Sequence, residues 1–242
     1  MMGSKSTNGI SFTKTKSFDD KLKHSLSVVN KAFDDYDFRE IFLSFNGGKD
    51  CTVLLHMVYD IWIQRKEQVE LQYGALLCIY LQPAEPFEEV ESFVKDCSEK
   101  YFPIAVKLGI GTKQDALFAI CDDYPELKAV FMGSRRTDPY CQQLKDFEMT
   151  TKGWPELMRI NPLLDWTCDD IWTYLKSFNV PYCSLYDVGY TSLGDKTNTV
   201  PNPHLKYFNN DTGKTEYYPA YHLRDADAYE RVGRITSAPN GS

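Results

Sequence analysis

No run in this 242-residue chain approaches the roughly 18 consecutive apolar residues that a membrane-spanning helix needs, and its N-terminus lacks the apolar core of a secretion signal. Paired cysteines are missing too. The seven thiols, at 51, 78, 97, 121, 141, 168 and 183, are odd in number and contain no CxxC. That excludes a disulfide scaffold and a zinc ribbon, and points to a reducing compartment. Basic residues are in deficit: 27 Lys and Arg face 34 Asp and Glu, a net charge of −7. This is the wrong balance for a protein held to nucleic acid by a basic face, although an acidic protein can still carry a locally positive pocket for small anions. Residues 1–17 contain neither acids nor Arg and read as a frayed tail. Internal repeats and low-complexity linkers are absent, and His24, His56, His204 and His222 show no metal-ligand spacing. The expectation is a monomeric cytoplasmic protein without membrane or nucleic-acid partners, a mitochondrial fraction being left open.

What is there is an ordinary globular mix, 43% hydrophobic and 25% charged. Apolar residues at Leu22, Leu26, Val29, Phe33 and Tyr36 fall at helical spacing. Ile41 to Phe45 is a short apolar run that ends in Asn-Gly-Gly, the mark of a buried strand entering a sharp turn. Helical periodicity returns over 50–66, a second strand is expected over 74–81, and Pro86 with Glu88, Glu89 and Glu91 opens a helix to about Tyr101. A strand at 104–108, a helix at 113–123 and a strand at 129–132 follow. Residues 133–165 read as irregular, Thr167 with Asp170 caps a helix to about Phe178, and from Val180 onward periodicity is lost.

Strands alternating with helices predict an α/β fold: a Rossmann-like open, mostly parallel sheet with helices on both faces. The expected layout is a tail over 1–17, a nucleotide-binding core over 18–179, and a C-terminal extension over 180–242 that wraps the core and closes the site.

The most informative segment is Ser44-Phe45-Asn46-Gly47-Gly48-Lys49-Asp50-Cys51-Thr52. It is a loop at the carboxyl end of a strand leading into a helix N-terminus, where open parallel sheets bind ligands. Adjacent glycines let backbone N–H groups turn toward a phosphate, the helix start adds free donors, and Lys49 offers a cation. It is not a Walker A loop, because Leu43 stands where that motif needs its first glycine. Gly109-Ile110-Gly111 lacks the third glycine of a dinucleotide fingerprint and reads as a structural turn.

This loop resembles the SGGKDS pyrophosphate loop of the N-type ATP pyrophosphatase and PAPS-reductase superfamily, an adenine nucleotide alpha hydrolase-like group. Asn46 replaces the first Ser and Cys51 the last. Four further blocks follow in order: Gly133-Ser134-Arg135-Arg136-Thr137-Asp138-Pro139-Tyr140, Gly153-Trp154-Pro155-Glu156 running on through Arg159-Ile160-Asn161-Pro162, Gly189 to Gly194, and Asn202-Pro203-His204-Leu205. Singly, Asp138-Pro139 and Asn161-Pro162 are turn dipeptides and the tryptophans are core candidates. Together, over roughly residues 40–234, the blocks look like the eukaryotic FAD synthetases, in their short fungal-type form without an N-terminal molybdopterin-binding-like domain.

The resemblance implies an ATP:FMN adenylyltransferase with ATP and FMN as substrates, FAD and pyrophosphate as products, and Mg²⁺ as cofactor. It implies that Asn46, Asp50, Asp138, Arg231 and Arg234 do the catalytic work, with Asp50 a candidate for orienting the loop or the metal. Ser44, Phe45, Gly47, Gly48, Lys49, Cys51 and Thr52 would line the phosphates, with Ile79 beside the adenine. Gly133 and Arg135 would contact flavin or phosphate, and Thr150, Thr151, Lys152, Gly153, Trp154, Arg159 and Asn161 would cover the isoalloxazine.

If 229–234 is helical, Arg231 and Arg234 share a face; a mobile cationic tail that closes on the triphosphate and a merely frayed basic end both fit the spacing. On the first reading, removing 229–242 lowers turnover far more than stability. Two other classes remain open: a non-catalytic flavin or nucleotide carrier on the same scaffold, and a reductase. The reductase class relies on a cysteine in the C-terminal tail, whereas the last cysteine here is Cys183.

Overall fold

The computed structural model describes residues 12–68, 75–108 and 112–235. Gly109 to Gly111, residues 1–11 of the expected tail and residues 236–242 of the expected extension lie outside them. The chain opens with helix α1 (Lys16–Asp35), six residues earlier than the apolar pattern suggests, because the Thr15 hydroxyl accepts the Phe18 N–H and caps it. Its buried stripe is also rotated from the expected one, running through Phe18, Ser25, Val28, Val29 and Ala32. Ser25 tolerates burial since its hydroxyl donates to the Pro162 carbonyl (2.6 Å) and accepts from the Trp166 indole (2.8 Å).

Strand β1 (Ile41–Phe45) leads into helix α2 (Lys49–Gln68). Strand β2 (Leu77–Gln82), helix α3 (Glu88–Lys100), strand β3 (Ile104–Leu108), helix α4 (Lys113–Asp123) and strand β4 (Ala129–Phe131) continue the alternation. Helix α5 (Cys168–Ser177) starts with the full Thr167–Asp170 capping box. The stretch expected to be irregular holds two short strands, β5 (Phe147–Met149) and β6 (Met158–Ile160), which extend the sheet.

The six strands run in the order β3-β2-β1-β4-β6-β5, parallel except for the antiparallel edge strand β5. The order reverses between β1 and β4, so their carboxyl ends flank a topological switch point. The two faces are covered unequally. Leu43, Phe45, Cys78 and Phe131 face a large core shared with α1, α2, α3 and α5. Phe42, Ile79 and Val130 face a smaller one beneath Ile120 of α4. Helix α2 packs between α1 and α5, which explains its nearly continuous apolar run from Val53 to Ile61.

Residues 180–235 form a layer of short 3-10 turns and a hairpin of β7 (Lys206–Asn209) and β8 (Lys214–Tyr217), closing with a single helical turn, α6 (Ala226–Tyr229). No described helix is long and apolar enough to cross a membrane.

Candidate functional site

The glycine loop sits at the switch point. Gly47 adopts φ +70°, and a Cβ there would stand 2.8 Å from Val90 Cγ1 of α3, so the turn admits only glycine without movement of α3. Asn46 is exposed; its Oδ1 accepts the Gly48 N–H at 2.8 Å, leaving the amide nitrogen to donate outward. The Lys49 N–H donates to the Tyr186 hydroxyl at 2.9 Å, and Thr52 turns its hydroxyl back onto the Gly48 carbonyl. Ser44 and Phe45 end β1, Phe45 buried in the core. Gly133 lies directly across the crevice. A Cβ on it would meet Cys51 Sγ at 3.0 Å and the Cys51 backbone N at 3.1 Å, so a bare backbone lets the second block close against the first. Burial pushes the Cys51 thiol up to about 12, which makes it a packing residue rather than a nucleophile.

Two expected ligand cations turn inward. Lys49 is 3% exposed, with Nζ 2.7 Å from Glu230 Oε2 and 3.1 Å from Asp50 Oδ2. Arg135 is 1% exposed. Its Nε lies 2.6 Å from Asp50 Oδ1, an ion pair without hydrogen-bond alignment, while its Nη1 donates to Asp227 at 3.0 Å and its Nη2 to Glu230. Burial works against both charges, but the facing carboxylates outweigh it and hold Lys49 and Arg135 above their ordinary values. Burial likewise opposes the Asp50 carboxylate, and Lys49 and Arg135 outweigh it, holding Asp50 below the usual carboxylate range. The side chains of Lys49 and Arg135 are therefore engaged by carboxylates of the protein itself. Both oxygens of Asp50 face cations, Oδ2 toward Lys49 and Oδ1 toward Arg135.

Asp138 accepts the Arg135 backbone N–H at 3.0 Å through Oδ2, and Arg231 Nη1 approaches Oδ1 at 3.5 Å. Burial raises Asp138 above the ordinary carboxylate value against the pull of that N–H, and the Asp50 charge adds to the rise. Arg231 is 44% exposed, next to the buried Glu230. Arg234 donates to the Leu193 carbonyl at 2.6 Å, and burial lowers its pKa, helped by the neighbouring Arg231.

The segment carrying both arginines is neither a continuous helix nor a frayed end. The α6 turn ends at Tyr229, and the backbone beyond it is held by Val200 N–H on Gly233 O (2.9 Å), Ile235 N–H on Asn198 O (2.8 Å) and the Thr191 hydroxyl on Glu230 O (2.6 Å). Removing 229–242 would also take Glu230 out of the buried ion network, so stability should fall along with turnover.

The remaining expected residues divide. Thr150 to Trp154 form a turn after β5, with Gly153 at φ +96° and its carbonyl held by Gln114 of α4; Trp154 is 38% exposed. Thr151 accepts the Trp154 N–H, and Lys152 is exposed in the same turn. Arg159 lies in β6 opposite Glu148. Asn161 is fully buried just beyond β6; its amide donates to the Lys145 carbonyl at 2.9 Å while Oδ1 has no partner. Ile79 was expected to offer its backbone to the adenine edge from a strand end. It sits mid-strand, paired with Ser44 and Ala105, its side chain in the smaller core, and Leu81 and Gln82 form the strand end. Glu230, Asp227 and Tyr186 were not foreseen: no local motif marks them, and they meet the loop only through tertiary folding.

A mostly parallel sheet with a glycine loop and a helix N-terminus at its switch point defines a nucleotide-binding α/β scaffold. The chain belongs to the phosphoadenosine phosphosulfate reductase domain family, whose model matches residues 40–201. It is 40% identical over 220 residues to a probable FAD synthase of Schizosaccharomyces pombe, a match covering 90% of this chain and 80% of that protein. It is 39% identical over 221 residues to a probable FAD synthase of Caenorhabditis elegans, covering 90% of this chain but only 41% of that longer protein. Among solved structures, the Candida glabrata FMN adenylyltransferase in complex with FMN and an ATP analogue matches with a TM-score of 0.82 at 27% identity, covering 92% of this chain and 89% of that one.

Proposed function

We propose that the chain is an FAD synthetase that transfers AMP from ATP to the phosphate of FMN, releasing pyrophosphate. The observation that carries this reading is the glycine loop at the switch point, with the block that holds Asp138 packed against it through Gly133 on Cys51 and Arg135 on Asp50, in a chain similar to FAD synthases over most of its length. An oxygen of the FMN phosphate forms a bond to the α-phosphorus of ATP as the bond from that phosphorus to the bridging oxygen of the β-phosphate breaks. A phosphate monoester is largely ionised near neutral pH, so the nucleophile needs no general base. The work is positioning two anions and stabilising charge on the departing pyrophosphate.

Backbone donors of the loop and the N-terminus of α2 supply fixed positive potential, and the Asn46 amide reaches the reacting phosphate. Arg231, exposed beside Asp138, meets the leaving group, and Arg234 supports it from the Leu193 side. Trp154 and the Thr150–Gly153 turn form the flavin side, with the buried Asn161 behind them tied to the Lys145 carbonyl. Magnesium would arrive with the triphosphate as its counter-ion, and no step is assigned to it.

The reductase reading loses ground because Cys183 is buried in the core, burial pushing its thiol up to about 11. Incubation with FMN, ATP and Mg²⁺ tests the proposal: FAD should accumulate, and none should form without ATP. FMN binding without turnover would favour the carrier instead. We also propose a cytoplasmic monomer.

A further inference from the structure

Glu230 is buried, 4% exposed, at the junction of the core and the C-terminal layer. Its main chain belongs to the layer: its N–H donates to the Ala226 carbonyl at 2.7 Å, and its carbonyl accepts the Thr191 hydroxyl. The neighbouring Tyr229 carbonyl accepts from Asn202 at 2.9 Å. Its carboxylate belongs to the core, one oxygen on Lys49 at the start of α2 and the other on Arg135 beyond β4. Stability alone does not call for such an arrangement, because apolar side chains of similar volume hold a buried junction as well or better. Directed ion pairs do fix register.

The register concerned is that of the next residue. Arg135 grips Glu230 with its guanidinium and Asp138 with its backbone N–H, and Asp138 in turn meets Arg231. Arg135, Glu230, Arg231 and Asp138 thus close a ring spanning both sides of the crevice. Movement of the Glu230 carboxylate would shift Arg231 against Asp138.

We propose that Glu230 is a positioning residue for adenylyl transfer, setting Arg231 over the phosphate loop through its bridge to Lys49 and Arg135. This rests on the adenylyltransferase reading. Glu230→Gln keeps the shape and removes the charge. Its kcat for FAD formation should fall by about tenfold or more while KM for FMN and ATP stays within about threefold, the signature of an interaction made in the transition state. Introduced on an Arg231→Ala background, the same change should alter kcat less than about twofold, since the two residues act as a unit. Hydrogen exchange should quicken in the 226–235 peptide and at the loop, leaving β1 to β4 unchanged. Glu230→Asp, which keeps the charge but shortens its reach, should fold and still lose kcat.

Full kcat in either single variant overturns the assignment. So does an additive loss on the Arg231→Ala background, which would make Glu230 structural only. Wild-type protein that forms no FAD overturns the underlying reading and this role with it, whereas wild-type activity beside a full-rate Glu230→Gln overturns this role alone.

Discussion

Lys49 Nζ lies between Glu230 and Asp50 with almost no solvent contact, so the protein itself balances its charge. Lys49→Met would leave Asp50 and Glu230 to share the single buried charge of Arg135 and should cost about 3–5 kcal/mol in urea unfolding; an exposed phosphate-binding lysine would cost little. Asp138 gives the opposite kind of linkage. Burial raises its folded-state pKa above 3.8, so its contribution to stability is present below that value and lost as pH rises through the folded value. Relative to wild type, Asp138→Asn should therefore gain stability across that window in melts at stepped pH, and a flat difference would contradict the assigned environment.

The residue types at the site were legible because strand, glycine pair and helix start are contiguous in the chain. The directions of Lys49 and Arg135 were not, since their partners Glu230 and Asp227 lie far along the sequence.

At the scale of elements, the loop's geometry rests on Gly47 packing against Val90. Gly47→Ala meets both a positive φ and a Cβ contact of 2.8 Å. It should lower Tm and raise KM for ATP together, an outcome measurable by scanning calorimetry and steady-state kinetics; wild-type values for both would mean that α3 yields freely. The strands that carried apolar runs, β1 to β4, were readable from the sequence, and so was the Thr167 cap of α5. Strands β5 and β6 were not. They are three residues long, and only Ile160 among them is fully buried, so pairing with neighbours rather than local pattern creates them. The β7–β8 hairpin hid for a similar reason, its strands being half-exposed and polar, although Asn209 to Gly213 carries turn chemistry.

Over the whole molecule, the mostly parallel architecture followed from alternating elements, while the docking of residues 180–235 depends on contacts without periodicity. Those contacts set Glu230 against Lys49 at the start of α2 and against Arg135 beyond β4, joining the C-terminal layer to the core in one buried ion network. The central claim is that this edge cleaves ATP between its α and β phosphates and captures AMP on FMN. The most direct measurement supplies the purified chain with FMN, Mg²⁺ and ATP labelled on either the α- or the γ-phosphorus, and follows both labels by chromatography. The account predicts α-label in FAD and γ-label in pyrophosphate, in equal amounts. Release of γ-label as inorganic phosphate by the enzyme itself, or unlabelled flavin after complete ATP consumption, would contradict it.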